Sequence, residues 1–193
     1  MFSTFRQDVE QKFPPPLTLR TCIVAFFEMS VWAVGIFRFG KWVDRLRFRP
    51  ARKALLVVYF FLYKISEALS GIRISIYSEI GPGLIVHNFG GVIIHGRLGR
   101  NCVIVQGAQL IARADGKDSG WPTLGDNVYV GSGAKVLGGI RIGDNVRIGA
   151  NAVVMTDVPD GAVVMPPESR VIRGFYRKKT PKAAPDAGGG AQE

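Results

Sequence analysis

Aliphatic residues return every sixth position through the middle of the chain: Ile80, Val86, Val92, Leu98, Ile104 and Leu110, then Leu124, Val130, Val136, Ile142, Ile148 and Val154. The step from Leu110 to Leu124 is one repeat plus eight residues, so the frame survives the interruption. A period of six fits neither the 3.6-residue turn of an α-helix nor the plain alternation of a flat strand. It predicts a parallel β-helix of hexapeptide repeats, in which each repeat forms one side of a triangular coil and turns its aliphatic residue inward. The fold class is therefore mainly β, with about four coils in the run from Ile80 to Val158. Val86, Ile104, Val130 and Ile148 are expected to stack on one side, and Val92, Leu110, Val136 and Val154 on another. Such ladders make a continuous dry core. Asn101, Asn127, Asn145 and Asn151 fall near the corners, at backbone positions that β-branched residues resist.

Residues 1–79 have a different texture and predict an apolar, basic, helical segment. "CIVAFFEMSVWAVGIF", from Cys22 to Phe37, is broken by Glu28, and "ALLVVYFFLY" runs from Ala54 to Tyr63. Neither supplies the roughly 18 uncharged apolar residues of a spanning helix. Their lengths suit helices that pack on the β-helix or lie along a bilayer surface. Between them "KWVDRLRFRPARK" sets Lys41, Arg45, Arg47, Arg49, Arg52 and Lys53 against the single Asp44. The readings for this strip are a solvated helical face ending in a turn at Pro50, or a contact with an anionic membrane leaflet. No nucleic-acid-binding motif accompanies the charge, so nucleic acid is not the expected partner.

The β-helix domain is expected over 80–174, with "RADGKDSGWPT" at 113–123 leaving the prism as a loop. Loops that interrupt a strict solenoid tend to carry function. Residues 175–193, rich in Pro, Ala and Gly, predict a disordered tail.

Composition narrows the partners. The chain has 193 residues, 47% of them hydrophobic, and a formal charge of +10, which points to an anionic partner such as a phosphorylated cofactor or a phospholipid. Cys22 and Cys102 lie far apart with no spacing for zinc or redox work, so a reduced, cytoplasmic compartment is the expectation. The N-terminus carries acidic residues and a proline run and is not read as an export signal. Both histidines, His87 and His95, fall in the short stretch "IVHNFGGVIIHG".

The run "LGDNVYVGSGAKVLGGIRIGDNVRIGANAVVMTDVPDGAVV", with Gln106 and the 14-residue spacing across the loop, resembles the hexapeptide-repeat acyltransferases. Within them it is similar to the serine acetyltransferase-like branch, which includes exopolysaccharide O-acetyltransferases; the likeness covers about Gly71 to Gly174. The resemblance implies a left-handed β-helix, a homotrimer, and acetyl-coenzyme A as co-substrate in a groove between adjacent prisms, with no metal. By position it places Ala112, Ser132, Arg147 and Ala150 in the coenzyme groove. Arg147 stands where the family has a lysine near the coenzyme phosphates, a contact that suits a guanidinium.

Three positions depart from the family pattern. The family's base histidine aligns with Asn88, one place after His87; its loop histidine aligns with Trp121; and an aspartate of the serine enzymes aligns with Arg73. A hydroxyl acceptor needs a base, and neutral imidazole suits that role. His87 keeps the Phe-Gly-Gly continuation and is the first candidate, His95 the second, with a structural role for both as the remaining reading. Asn88 is expected to orient the acceptor, with Arg73 and Trp121 as substrate contacts. The implied function is O-acetylation of a sugar hydroxyl, on a small or lipid-linked acceptor, or of L-serine. The alternative is a non-catalytic trimeric scaffold or membrane-surface adaptor with a degenerate site. A peripheral contact with the inner, anionic face of the membrane is a further expectation.

Overall fold

The computed structural model describes residues 2–16, 18–87, 90–113 and 120–168. Asn88, the middle of the loop, the 175–193 tail and the Cys22 side chain lie outside that set. Short strands wind into a three-sided prism. The first side holds β1 (Ile72–Ile74), β4 (Val92–Ile94), β7 (Gln109–Ile111), β10 (Lys135–Leu137) and β13 (Val153–Val154). On the second side lie β2 (Glu79–Ile80), β5 (Arg97–Leu98), β8 (Thr123–Leu124) and β11 (Arg141–Ile142). The third side holds β3 (Ile85–His87), β6 (Val103–Val105), β9 (Tyr129–Val130), β12 (Arg147–Ile148) and β14 (Val163–Val164).

Every strand pairing is parallel, and the architecture is the left-handed β-helix. It has about five turns rather than four, as the five-stranded sides show. The prism begins at Ile72, so the helical segment ends near Gly71 and not at residue 79. The six-residue step already runs from Ile74 to Ile80, but Arg73 and Ser75 mask it in the sequence.

Val86, Ile104, Val130 and Ile148 stack on the third side as the frame predicts. On the first side the column is Ile74, Ile94, Leu110, Val136 and Val154. Ile94, and not Val92, takes the place beside Leu110, while Val92 is buried opposite Ile72. The corner after His87 is two residues longer than a regular one, because Val86 to Ile94 is eight positions. The corner after Ile94 is two residues shorter, so the frame returns at Leu98. Gly90 (φ 104°) and Gly91 (φ 68°) supply the conformations that the longer corner needs.

The corner between the second and third sides is a structural seam. Asn101, Asn127 and Asn145 sit there at φ 54°, 58° and 57°. Asn101 Nδ2 donates to Asn127 Oδ1 at 3.2 Å, and Asn127 Nδ2 to Asn145 Oδ1 at 3.2 Å. Carboxylates of Asp126, Asp144 and Asp160 accept the backbone N–H groups of Arg100, Asp126 and Asp144. These groups satisfy one another, which leaves the other two corners for chemistry.

Among the described residues four helices precede the prism: α1 (Phe2–Lys12), α2 (Leu19–Phe27), α3 (Met29–Asp44) and α4 (Arg49–Ser70). Ala33, Val34 and Phe37 of α3 join the core of the prism. A buried clasp fixes the docking: Arg38 Nε and Nη2 donate to both Asp8 oxygens at 2.9 and 3.0 Å. The same guanidinium donates to the carbonyls of Ile80 and Gly81, and Asp8 Oδ1 accepts from Gly83 N and Leu84 N. Helices α1 and α3 therefore pack on the first coil. Among the described residues, no helix is long and apolar enough to cross a membrane.

Candidate active site

His87 ends β3 with an exposed side chain, at the corner between the third and first sides. One residue earlier, the Val86 carbonyl accepts a hydrogen bond from Lys12 Nζ at 3.0 Å. The same ammonium donates to Glu28 Oε1 at 2.9 Å and Ser30 Oγ at 2.5 Å, and Ser30 donates on to Glu28 at 3.1 Å. The end of α1 and the start of α3 thus meet β3 beside the imidazole. Partial burial, followed by the nearby Lys12 charge, holds the His87 pKa below its ordinary value, against a smaller opposing pull from Glu28. Its hydrogen bond from Lys12 is the main influence that keeps the Glu28 carboxyl pKa low.

Gln106, Ser132 and Ala150 follow β6, β9 and β12 at this same corner. Ser132 Oγ donates to the Gln106 carbonyl at 3.1 Å, and the Ser132 carbonyl accepts Asn151 N–H at 2.8 Å. Gly90 N–H donates to the Ser70 carbonyl at 2.8 Å, tying the longer corner to the end of α4. Arg147 lies exposed on the outer face of β12, its guanidinium 5.8 Å from the centre of the Tyr129 ring.

His95 lies at the opposite edge of the first side, in the shortened corner that leads to β5. The Trp121 ring stacks on it, centroids 3.2 Å apart and planes 11° from parallel. Above is the longer turn of Tyr77 and below is the end of the loop, so the shortfall at His95 leaves a notch. This cleft, about 410 Å³, is lined by His95, Trp121, Tyr77, Glu79, Arg97 and Thr123. Arg97 Nε pairs with Glu79 Oε2 at 3.1 Å. Burial holds the His95 pKa below its ordinary value. Ala112 leaves β7 at the same corner.

The sequence candidates therefore fall in two groups, His87 with Ser132 and Ala150, and His95 with Trp121 and Ala112. Within one prism β4 separates them. Arg73 joins neither: on β1 it is exposed and donates to Glu67 Oε1 of α4 at 2.6 Å. Asn88 lies outside the described residues. Lys12, Tyr77 and the Glu79–Arg97 pair escaped sequence reasoning. Glu28 had left a trace there, as the lone charge in an apolar stretch. Among the described residues no group of three metal-ligating side chains occurs.

The prism is a coil of hexapeptides with small-residue corners and imidazoles at two edges. The family model "Bacterial transferase hexapeptide (six repeats)" matches residues 122–155. A serine acetyltransferase of Bacillus licheniformis is 30% identical over 177 residues, covering 89% of this chain and 77% of that protein. The serine acetyltransferase of Synechococcus elongatus is 42% identical over 125 residues, 63% of this chain. This chain spans only half the length of that relative. The structure of a Neisseria gonorrhoeae serine acetyltransferase in complex with serine matches with a TM-score of 0.70 at 25% identity, over 88% of this chain and 68% of that one. The chain belongs to the hexapeptide-repeat acyltransferases, in their serine acetyltransferase-like branch.

Proposed function

We propose that the chain is an acetyl-coenzyme A dependent O-acetyltransferase, with His87 as base and a sugar hydroxyl as the first acceptor to test. The observation that carries this is the corner at which His87 shares its edge of the prism with Ser132 and Ala150. Neutral imidazole removes the acceptor proton as the oxygen attacks the thioester carbonyl. The carbon–sulfur bond then breaks, and the departing thiolate takes the proton back from the imidazolium. Lys12 holds the strand end through the Val86 carbonyl and, after burial, adds to the lowering of the His87 pKa.

A homotrimer completes this reading. In a closed ring each interface is head-to-tail, so one edge of a prism meets the other edge of its neighbour. That arrangement sets His87, Ser132 and Ala150 of one copy against the His95–Trp121 cleft of the next, which serves as acceptor platform. A flat aromatic surface suits the apolar face of a sugar ring. Among the described residues, each carboxylate beside an imidazole, Glu28 and Glu79, already has a cationic partner, which supports an uncharged acceptor. L-Serine is the second reading, favoured because the relatives bear the name serine acetyltransferase. Their being named enzymes speaks against a non-catalytic scaffold.

The test is release of coenzyme A thiol from acetyl-coenzyme A with L-serine, free sugars and lipid-linked sugars as acceptors. Faster release with a sugar than with serine is expected. Release with serine alone replaces the first acceptor by the second, and no release with any acceptor overturns the enzyme reading.

A further inference from the structure

The helical layer presents an apolar outer surface that the prism does not cover. On α4, Val58, Phe61, Ile65 and Leu69 recur at helical spacing and are all exposed, Phe61 at 61% and Leu69 at 63%. On α2, Leu19, Ile23, Phe26 and Phe27 are exposed as well, Phe27 at 76%. Scattered apolar residues are normal on a surface, whereas a face of this extent marks an interaction site.

Between the helices this surface opens into a cavity of about 490 Å³. Its walls are almost wholly apolar: Phe5 and Val9 of α1, Phe26 of α2, Trp32 and Phe39 of α3, and Leu62 of α4. Phe26 and Trp32 meet edge to face at 5.3 Å, and Trp32 Nε1 donates to the Phe26 carbonyl at 2.5 Å. Gly35 lets the Phe5 ring pack closely onto α3, because a Cβ there would stand 3.2 Å from that ring. Volume and lining fit a hydrocarbon chain.

Charge identifies where the chain comes from. The turn that starts α4 carries Arg45, Arg47, Arg49 and Lys53, all exposed, and none forms an ion pair among the described residues. Arg52 pairs with Asp44 at 2.6 Å. An apolar helical face with a basic end, on helices too short in apolar length to span, is the pattern of an element lying in a bilayer interface. We infer that α2 and α4 rest on an anionic phospholipid surface, with the arginine turn against the headgroup phosphates and one acyl chain in the cavity beside Trp32. The inference is independent of the acceptor and of acetyl transfer.

A protein with Trp42→Phe and Trp121→Phe leaves Trp32 as its sole tryptophan, and the full chain is mixed with phosphatidylglycerol–phosphatidylcholine vesicles. Trp32 emission is expected to shift to the blue and to be quenched by brominated acyl chains. Arg47→Glu with Arg49→Glu is expected to weaken binding about fivefold or more per charge at low salt, and added salt to do the same. Phe61→Asp with Ile65→Asp, both at exposed positions, is expected to abolish insertion while the circular dichroism spectrum stays unchanged. Equal binding to neutral vesicles removes the phosphate contact. No binding at low salt overturns the inference, and a doubled solution mass that the Phe61→Asp, Ile65→Asp protein loses assigns the face to a second copy instead.

Discussion

Trp121 lies flat on His95, the planes 11° apart and the centroids at 3.2 Å, so the indole covers one face of the imidazole, and both rings line the cleft. If this pair is the acceptor platform, its loss is felt in acceptor binding before chemistry. Trp121→Ala is expected to raise the acceptor KM about two- to tenfold, the size of an aromatic pair. The affinity for coenzyme A should not move, and Trp121→Phe should restore part of the loss. A fall in kcat at constant KM would instead put Trp121 in the chemical step.

Lys12 and Glu28 act on His87 in opposite directions. Lys12 lowers its pKa and Glu28 raises it. If His87 is the base it works unprotonated, and the acid limb of kcat/KM follows its titration. Lys12→Met is expected to move that limb to higher pH and Glu28→Gln to lower pH, each checked by the pH–rate profile and by NMR titration of His87 Cε1–H. The same depressed values bear on stability. Both imidazoles titrate below the ordinary 6.5 when folded, so the unfolded chain binds protons first. Stability conferred above that value is therefore lost as the pH falls through the folded pKa values.

The Asp8–Arg38 clasp joins the helices to the prism through two charges that are 97% and 92% buried. Removing one partner strands the other. Asp8→Asn or Arg38→Met is expected to cost about 3–5 kcal/mol in denaturant unfolding. The helices should also become protease-sensitive while the prism stays protected. Equal loss of protection in both would make the two parts a single cooperative unit.

Arg147 stands exposed above Tyr129 on the outer face of β12. Arg147→Ala is expected to weaken coenzyme A more than a dephosphorylated analogue in calorimetric titration. Equal losses would remove the phosphate contact.

The repeat was legible because each inward aliphatic residue is dictated locally, so third-side columns such as Val86–Ile104–Val130–Ile148 could be read by counting. The shift of Ile94 into the place of Val92 was not legible. Both residues are aliphatic, and the glycine pair that lengthens the corner looks like any turn until the shorter corner at His95 is known. That shift matters most for the site, since it creates the notch beside Trp121. Lys12 was invisible for a different reason. Its partner carbonyl lies 74 residues away, and no local pattern links an α1 terminus to the end of β3.

On the proposed reading, the imidazole at the longer corner performs the chemistry and the one at the shorter corner shapes the acceptor cleft. Acetyl transfer by His87→Ala and His95→Ala proteins, measured side by side at saturating acetyl-coenzyme A, tests it most directly. General-base catalysis contributes about 10²–10⁴-fold, so His87→Ala should lose kcat by that factor with coenzyme affinity and melting temperature nearly unchanged. His95→Ala should chiefly raise the acceptor KM. Full turnover in His87→Ala with none in His95→Ala would contradict the assignment.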